Sequence, residues 1–499
     1  MARMMTASDR QAVPATLTYD PETDRPQEEC GVFAVHGSPD AGVLTALGLH
    51  ALQHRGQESC GIATHDGSRF HNERYLGLVG ENFTSPDLPQ RLPGRAAIGH
   101  VRYSTQGASV MRNVQPLYSD IRGGGIALAH NGNLTNARVL REELVQKGAI
   151  FQSTSDSEVV LHLAAQSSKN KLSNRVLHAI KQIEGAFAFV ILVNDRVIAA
   201  RDPYGIRPLV MGRIGDATVF ASETCALDMV GAKFVRDIEP GEAVVVNDQG
   251  IRSERFAPER AARVCSFEYI YFARPDSVIA GRSVYEARKQ MGRQLAVETP
   301  ADVDVVIPVP DSGVPAAIGF AEASGIPFEL GIIRSHFVGR TFIQPTQDRR
   351  DLSVRRKHSA NAAAVKGKRV LLIDDSIVRG TTSLKIVRMM REAGASEVHF
   401  RSACPPIKFP DFYGIDMAGQ AELISANMEV DEMAQKLEAD SLGFLTVNGM
   451  YQAIIGEPRN NRVPQLADHY FTGQYPTRLM DHDRDLSAKE FQLSLLVDA

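Results

Sequence analysis

Short apolar runs separated by polar turns fill the first half of the chain, from Cys30 to about residue 255. Their length and composition are typical of buried strands. The predicted strands are Gly31–His36, Cys60–His65, Ile126–His130, Ala186–Val193, Arg196–Arg201 and Ala243–Val246. Helical patterns follow Asp40 as far as Gly56, and run from Glu158 to Ser167 behind a Ser155 or Ser157 cap. Many strands with few helices predict an α+β domain built in layers.

From about residue 265 the pattern changes to strands that alternate with helices. The predicted strands are Val303–Pro308, Phe328–Ile333, Val370–Ile373 and Val398–Ser402. The helical patterns between them are Pro315–Ala323 and Ser383–Ala393, the second of which stops at Gly394. This alternation predicts an α/β domain with a parallel sheet, whose ligands bind at the carboxyl ends of the strands.

Composition narrows the possible classes of protein. The chain has 499 residues, of which 43% are apolar and 23% are charged, as expected for two or three globular domains. The formal net charge of −4 gives no global basic field for nucleic acid, and no apolar run is long enough to span a membrane. The five cysteines are far apart and form no Cys-x-x-Cys pair, which favours a reducing cytoplasm over a disulfide framework or a zinc site.

Residues 1–29 differ from the rest of the chain. They are polar, show little apolar periodicity and lack the apolar centre of a secretory signal. We therefore expect this leader to be disordered.

The most informative stretch is residues 369–382, where an apolar strand meets two carboxylates, Asp374 and Asp375. A loop then leads into a helix, and free N–H groups at a helix N-terminus form a ready anion site. Gly380 lets the backbone approach a phosphate, and Thr381 and Thr382 add hydroxyl donors. An acidic strand end with a simple helix cap is the plainer interpretation. The combination resembles the signature of phosphoribosyltransferases that bind phosphoribosyl pyrophosphate (PRPP), and it lacks the Gly-Lys-Ser/Thr of the Walker loop.

The first half carries a series of polar motifs. They are Cys30-Gly-Val-Phe, Gln53-His-Arg-Gly56, Gly99-His-Val-Arg-Tyr-Ser-Thr105, Ala129-His-Asn-Gly-Asn-Leu134 and Ser153-Thr-Ser-Asp-Ser-Glu158. Each alone has an ordinary interpretation, such as a small core cysteine or a turn. Their order and spacing together resemble the glutaminase domain of class II glutamine amidotransferases. These are N-terminal-nucleophile (Ntn) hydrolases, so the resemblance implies a layered αββα fold.

The resemblance also implies a catalytic role for each position. Removal of the leader as a propeptide would leave Cys30 with both a nucleophilic thiol and an α-amine of pKa about 7.7–8.0, well placed as a base at neutral pH. Arg102 would bind the glutamine α-carboxylate and Asp156 its α-ammonium. Asn131 and Gly132 would form the oxyanion hole. Hydrolysis of the thioester on Cys30 would release ammonia.

Over about residues 30–475 the whole chain resembles the amidophosphoribosyltransferases. Further matching segments are Cys265–Ser277 at the domain junction, Pro308–Gly313 and a loop at Val338–Ile343. The resemblance implies that ammonia displaces pyrophosphate from PRPP, giving 5-phosphoribosylamine, the committed step of purine (IMP) synthesis. It implies an amidotransferase domain at 30–260, a type I phosphoribosyltransferase domain at 261–475 and a C-terminal extension at 476–499.

The same resemblance implies ligands and partners. The residues that would bind PRPP are Asp374, Asp375, Ser376, Arg379, Gly380, Thr381, Thr382 and Arg340. One Mg²⁺ per subunit would lie near Ser312, Asp374 and Asp375. Purine nucleotides would act as feedback inhibitors and the enzyme would be a cytoplasmic dimer of dimers, with no nucleic-acid or membrane partner.

The chain departs from the family pattern in two places. The family loop often reads Asn-Arg-Tyr where this chain has Ser335-His336-Phe337. One branch of the family carries a [4Fe–4S] cluster on four cysteines. Here those positions are Cys265, Asp411, Ala467 and Tyr470, so we expect no cluster to form.

Other functions remain open at this stage. A different class II amidotransferase would share the first half but use another acceptor. A PRPP-sensing, DNA-binding regulator on the phosphoribosyltransferase fold would need a basic recognition helix. Residues 334–369 carry ten Lys and Arg against two Asp, but few aromatic residues for base stacking, so they suit a small polyanion better than nucleic acid.

Overall fold

The computed structural model describes residues 30–103, 110–334, 358–417 and 419–483. The predicted leader, Arg340, the segment 335–337 and the loop 338–343 lie outside these ranges, so their predictions are not addressed by the structure. Ser104 and Thr105 of the third motif also lie outside them.

Two antiparallel sheets form the first half. In spatial order, the first contains Lys233–Asp237, Val210–Ile214, Ala217–Ala221, Gly31–His36, Ala96–Arg102, Ser59–His65 and Phe70–Leu76. The second contains Gly250–Arg255, Glu242–Asn247, Arg196–Arg201, Gly185–Val193, Gly124–Leu134 and Leu117–Ile121. The predicted strands Gly31–His36 and Arg196–Arg201 are confirmed to the residue. Several strands that alternate weakly, such as Phe70–Leu76, were not predicted because they are only half-buried.

Helices cover the outer face of each sheet. The first sheet carries Ala41–Ala51, Val79–Asn82, Leu88–Arg91 and Thr224–Met229, with a 3₁₀ turn at Gln53–Arg55. The second carries Ala137–Gln146, Glu158–Gln166 and Leu172–Ile180, and a further 3₁₀ turn lies at Met111–Asn113. Neither Asp40 nor Ser157 makes the predicted side-chain cap, although each precedes its helix.

The two faces of each sheet carry different side chains, which explains the layering. Alternate residues of strand Gly124–Leu134 face opposite ways: Leu128 packs under the helices, while Ala127 and Ala129 face the other sheet. Small side chains on the inner faces let the two sheets pack closely. The predicted αββα arrangement is therefore confirmed.

The second half is built on a parallel sheet of the strands Val305–Pro308, Arg369–Asp374, Glu397–Ser402 and Ser441–Phe444. This confirms the predicted α/β domain. The strand predicted at Phe328–Ile333 is wrong in position. Phe328 makes only a single bridge to Val306, and Ile332–Arg334 instead forms a separate antiparallel pair with His358–Ala360. A short apolar run does not specify its own partner strand.

Helices cover both faces of this sheet. The helices of the second half are Val284–Glu298, Val314–Ser324, Ala362–Val365, Thr381–Glu392, Ile424–Asn427, Val430–Lys436, Val447–Ile455, His469–Thr472 and Met480–Asp483, with a 3₁₀ turn at Gln420–Glu422. The last of these helices packs against Ala137–Gln146 of the first half rather than on the sheet. A short π-helical segment, Glu268–Phe272, lies at the junction of the two halves. None of the helices in the described ranges is long and apolar enough to cross a lipid bilayer.

Two short strand pairs lie within the second half, and the chain end connects that half to the first. Val264–Cys265 pairs with Leu466–Ala467, and Val278–Ile279 pairs with Arg282–Ser283. The segment after residue 475 returns to the first half, where the Asp481 carboxylate accepts the N–H groups of Arg138 (3.0 Å) and Val139 (3.2 Å). These bonds satisfy donors that a helix N-terminus leaves unpaired.

Candidate active sites

Cys30 immediately precedes Gly31–His36, the central strand of the first sheet. Its thiol is buried and contacts the carbonyl oxygen of Tyr103 at 3.6 Å. Burial raises the pKa of this thiol, the neighbouring Arg102 guanidinium opposes the rise and Asp156 adds to it. The structure therefore brings three predicted residues, from three distant parts of the chain, to one place.

Arg102 ends the strand Ala96–Arg102 and is buried. Its Nη1 donates to the carbonyl oxygen of Asn113 at 2.5 Å, and the Asn113 side chain in turn binds Thr154, two residues before Asp156. These bonds hold the guanidinium in one orientation beside Cys30. A fixed guanidinium is suited to bind a carboxylate.

The Asp156 carboxylate precedes helix Glu158–Gln166. It accepts the N–H groups of Leu134 (3.0 Å) and Ser157 (2.8 Å), and its Oδ2 lies 3.6 Å from Nδ1 of His130. Burial alone raises the pKa of Asp156, but His130 and the hydrogen bonds outweigh burial and lower it. The group is therefore a carboxylate at neutral pH, suited to bind an ammonium group.

Asn131 and Gly132 lie in the strand Gly124–Leu134, just before Leu134. Asn131 is completely buried, yet neither its Nδ2 nor its Oδ1 has a hydrogen-bond partner among the described residues. Buried amides are normally paired, so an unpaired one is a donor held ready for a ligand. Gly132 has φ of 131°, and a Cβ there would lie 2.1 Å from the carbonyl oxygen of Ala186, so only glycine fits.

The second predicted site lies at the carboxyl end of strand Arg369–Asp374. Asp374 and Asp375 are buried. Oδ1 of Asp375 accepts the Ser376 hydroxyl at 2.6 Å, and its Oδ2 accepts the hydroxyl of Ser312, from the turn after strand Val305–Pro308. Neighbouring parallel strands thus bring Ser312 to the acidic pair, as predicted. The Pro310–Asp311 peptide bond in that turn is cis.

The predicted phosphate loop ends at Gly380, which precedes the helix Thr381–Glu392 with φ of 82°. Thr381 and Thr382 form the first turn of this helix. The Arg379 side chain is bonded to Glu422 at 2.7 Å. The loop therefore presents backbone N–H groups and threonine hydroxyls at the same strand end as the acidic pair.

A loop of the second half touches the strand that carries Asn131 and Gly132. Asn133 Nδ2 donates to the carbonyl oxygen of Phe412 at 2.9 Å. A Cβ on Gly414 would lie 2.9 Å from the carbonyl carbon of Gly132. Arg207, completely buried, donates twice to the carbonyl oxygen of Tyr413. The sequence carries no signal for these contacts, because the partners lie 206 residues or more apart.

The four positions that correspond to cluster ligands also lie together. Cys265 is paired with Ala467 in the short parallel ladder, and its Sγ lies 3.2 Å from the hydroxyl of Tyr470. Asp411 Oδ1 is hydrogen-bonded to Nε2 of His469 at 2.7 Å, and both side chains are buried. Burial is the main cause that raises the pKa of Cys265 to about 11. Hydrogen bonds and apolar packing thus hold this region together, and the expected absence of a cluster stays a prediction.

Comparison with known proteins assigns both halves. Residues 100–229 match the family model described as a glutamine amidotransferase domain, and residues 284–405 match that of a phosphoribosyl transferase domain. The chain is 57% identical to an amidophosphoribosyltransferase of Rhizobium etli, over 93% of this chain and 95% of the relative. It is 49% identical to the amidophosphoribosyltransferase of Bacillus subtilis, over 91% and 95%.

A solved structure agrees with this assignment. The glutamine PRPP amidotransferase of B. subtilis complexed with ADP and GMP superimposes with a TM-score of 0.85 at 48% identity, over 91% of this chain and 100% of that one. Similarity of this extent, over both halves in the same order, establishes common descent of the whole chain. The chain therefore belongs to the amidophosphoribosyltransferase family.

Proposed function

We propose that the chain forms 5-phosphoribosylamine from PRPP with nitrogen taken from glutamine, releasing glutamate and pyrophosphate, as the committed step of purine synthesis. The observation that carries the proposal is the presence of two complementary sites in one chain. One surrounds a buried cysteine, the other is a strand–loop–helix with an acidic pair, and the two halves are in direct contact.

The Cys30 site performs the first half of the reaction. Removal of residues 1–29 leaves a free α-amine on Cys30, which takes the thiol proton as the sulfur attacks the glutamine side-chain carbonyl. Arg102 and Asp156 bind the α-carboxylate and α-ammonium of the substrate. The Asn131 amide and the Gly132 N–H stabilise the tetrahedral oxyanion. Water then hydrolyses the thioester, and the products are glutamate and ammonia.

The acidic-pair site performs the second half. The N–H groups and hydroxyls between Arg379 and Thr382 bind the 5′-phosphate of PRPP. We assign this contact first to the backbone and threonines, because the Arg379 guanidinium is bonded to Glu422. Asp374, with Asp375 and Ser376 beside it, binds the ribose hydroxyls. Arg340, outside the described residues, approaches the pyrophosphate.

The residues at this site suit a magnesium ion. Asp374, Asp375 and Ser312 offer only oxygen donors, as Mg²⁺ prefers. Within the described residues, no three His, Cys, Asp or Glu side chains lie close enough to hold a metal by themselves. That agrees with Mg²⁺ bound by one or two carboxylates together with substrate phosphates. When bound, the ion would neutralise the charge of the departing pyrophosphate.

We propose that ammonia passes between the sites along the contact of the two halves. The loop Asp411–Ile415 of the second half lies against the strand that carries Gly132. Passage within this contact keeps ammonia unprotonated and away from bulk water. The proposed domain boundaries, 30–260, 261–475 and 476–499, place this loop in the phosphoribosyltransferase domain.

Three further proposals concern regulation, assembly and location. Purine nucleotides inhibit the enzyme, supported by the B. subtilis relative that was solved with ADP and GMP. The subunits assemble as a dimer of dimers, as the resemblance implies. The enzyme acts in the cytoplasm, supported by five cysteines that are all buried and unpaired.

The test compares the wild-type chain with Cys30→Ala, supplied with PRPP and either glutamine or an ammonium salt. The variant is expected to lose glutamine-dependent activity and to keep ammonia-dependent pyrophosphate release, because the second site does not use the thiol. The intact mass of the active enzyme should correspond to a chain that begins at Cys30. Fructose 6-phosphate in place of PRPP tests the alternative of another amidotransferase. Activity of a chain that still carries residues 1–29 would contradict the N-terminal mechanism.

A further inference from the structure

A cluster of buried charges lies directly behind Cys30. At its centre the Arg55 guanidinium is completely buried between two carboxylates, those of Glu223 and Glu268, which are also completely buried. Taking charges out of water is unfavourable, and apolar side chains of the same size often stabilise a fold as well or better. The cluster therefore needs an explanation beyond stability.

The geometry of the guanidinium supplies one. Glu268 binds it in a bidentate way, with Nη1 at 2.9 Å from Oε2 and Nη2 at 2.7 Å from Oε1. Glu223 accepts a further bond from Nη1 at 2.6 Å. These bonds fix the plane of the guanidinium. Its remaining edge, Nε, donates to the carbonyl oxygen of Cys30 at 3.1 Å.

Glu268 comes from the other half of the molecule. It begins the junction segment Glu268–Phe272, 213 residues after Arg55. The segment is anchored by Arg288, in helix Val284–Glu298, which donates to the carbonyl oxygens of Tyr269 (2.7 Å) and Ala273 (2.8 Å). The position of the Glu268 carboxylate thus depends on the packing of the second half.

The carbonyl of Cys30 belongs to the same residue as the proposed thiol nucleophile and α-amine base. Its orientation sets the torsion about the Cα–C bond, and so the directions of the Cα–N and Cα–Cβ bonds that carry the amine and the thiol. We infer that Glu268 is a positioning residue for this nucleophile: it aligns Arg55, which holds the Cys30 carbonyl. The inference rests on the proposed function of Cys30. It makes efficient glutamine hydrolysis depend on a side chain supplied by the second half.

The experiment compares the activities of the Glu268→Gln variant with those of the wild type, both as the full mature chain. Gln keeps the volume but replaces one acceptor oxygen with a donor that faces Arg55. The kcat for glutamate release should fall about tenfold or more, while KM for glutamine, set by Arg102 and Asp156, changes less than about threefold. Ammonia-dependent formation of phosphoribosylamine should stay within about twofold of wild type. Glu268→Asp, which keeps the charge, should recover part of the lost glutamate release.

Asp468→Asn is the matched control. This carboxylate is also buried, in bonds to Arg459 and Tyr451 of the second half. The control should lower the melting temperature without changing the ratio of glutamate release to ammonia-dependent activity. If Glu268→Gln leaves too little folded protein, Glu223→Gln, which loosens the same guanidinium from its other side, is judged by the same ratio.

The possible outcomes separate the explanations. Normal glutamate release by Glu268→Gln would overturn the inference, and so would an equal loss of both activities, since that indicates a purely structural role. Normal glutamate release with loss of glutamine-dependent phosphoribosylamine would instead indicate leakage of ammonia and would also overturn it. Failure of the proposed function is recognised separately, because the Cys30→Ala variant would then release glutamate at the wild-type rate.

Discussion

The proposed glutaminase site draws its residues from four distant places in the chain, whereas the proposed PRPP site draws most of its residues from one strand–loop–helix unit. Cys30, Arg102 and Asp156 come together from distant parts of the chain, and Asn131 lies in the strand whose Leu134 N–H binds Asp156. Asn113 accepts a bond from Arg102, and Arg55 donates to the Cys30 carbonyl. Asp374 to Thr382 follow one another along the backbone, and Ser312 joins them from the neighbouring strand.

The difference lies in how each site is kept in place. A local unit carries its own geometry, since the strand end and the helix N-terminus are set by backbone bonds within about a dozen residues. A dispersed site depends on every packed layer that separates its members. Substitutions far from Cys30 should therefore damage glutamine use more than PRPP use, and the following predictions test that expectation.

The largest effect is expected from the PRPP site itself. Asp374→Asn combined with Asp375→Asn should lower phosphoribosylamine formation by about a thousandfold or more from either nitrogen source, because the proposed ligands for ribose and magnesium are lost. Folding should survive, since the pair lies at a strand end. Initial rates with glutamine and with ammonium salts measure the effect.

Asp304→Asn serves as its control. Asp304 lies at the opposite end of the same sheet, where it binds Arg369. This variant should keep both rates. Near-normal ammonia-dependent turnover in the double variant would contradict the assignment of the acidic pair.

The next effect concerns the oxyanion hole. Asn131→Ala should lower kcat for glutamate release by about a hundredfold to a thousandfold, with little change in KM, because the amide acts on the tetrahedral intermediate. The melting temperature should stay the same or rise, since the buried amide has no hydrogen bond to lose within the described structure. Steady-state kinetics measure kcat and KM, and thermal unfolding measures the melting temperature. A marked loss of stability would mean that the amide is already bonded in the resting enzyme.

A smaller effect is expected where the halves touch. Gly414 has φ of 112° and has no room for a Cβ beside Gly132. Gly414→Ala should shift the loop and lower the glutamine-dependent rate by about tenfold, because small displacements at a reacting centre are costly, while the ammonia-dependent rate changes little. Gly456→Ala is the control, since its φ of 86° is similar but the space around it is open. Equal effects of the two variants would show that backbone strain alone is responsible.

The smallest effect is on stability in acid. Burial alone raises the pKa of Asp411, but His469 outweighs burial and lowers it. A carboxyl with a lowered folded-state pKa adds stability above its unfolded pKa of about 4, and this is lost as pH falls through the folded-state pKa. Asp411→Asn should remove that part of the pH dependence, by about 1.4 kcal/mol for each unit of the pKa difference. Urea unfolding between pH 3 and 7 measures it, and an unchanged slope would contradict the prediction.

Much of the fold could be predicted from sequence patterns whose physical cause is local. The strand ending at Asp374 and its helix depend on an apolar run, a glycine with positive φ and threonines at the helix start, all of which are adjacent in sequence. The αββα layers were predicted from the resemblance to class II glutamine amidotransferases and from the many short strand patterns. The strand at Phe328–Ile333 was mispredicted, because the segment joins the main sheet only through the bridge of Phe328 to Val306, while Ile332 and Ile333 pair with Ala360 and Ser359.

By itself, the sequence determined the two fold classes, the order of the halves and the candidate residues for the chemistry, because these follow from apolar periodicity and compact motifs. Only the tertiary structure decided which groups meet. Arg55 and Glu268 both stand in motifs that the sequence made visible, yet their bidentate bond, and its link to the Cys30 carbonyl, exist only in the folded chain. Hydrogen bonds of a few ångströms between residues more than 200 positions apart depend on the packing of every intervening layer, and no local pattern encodes that packing.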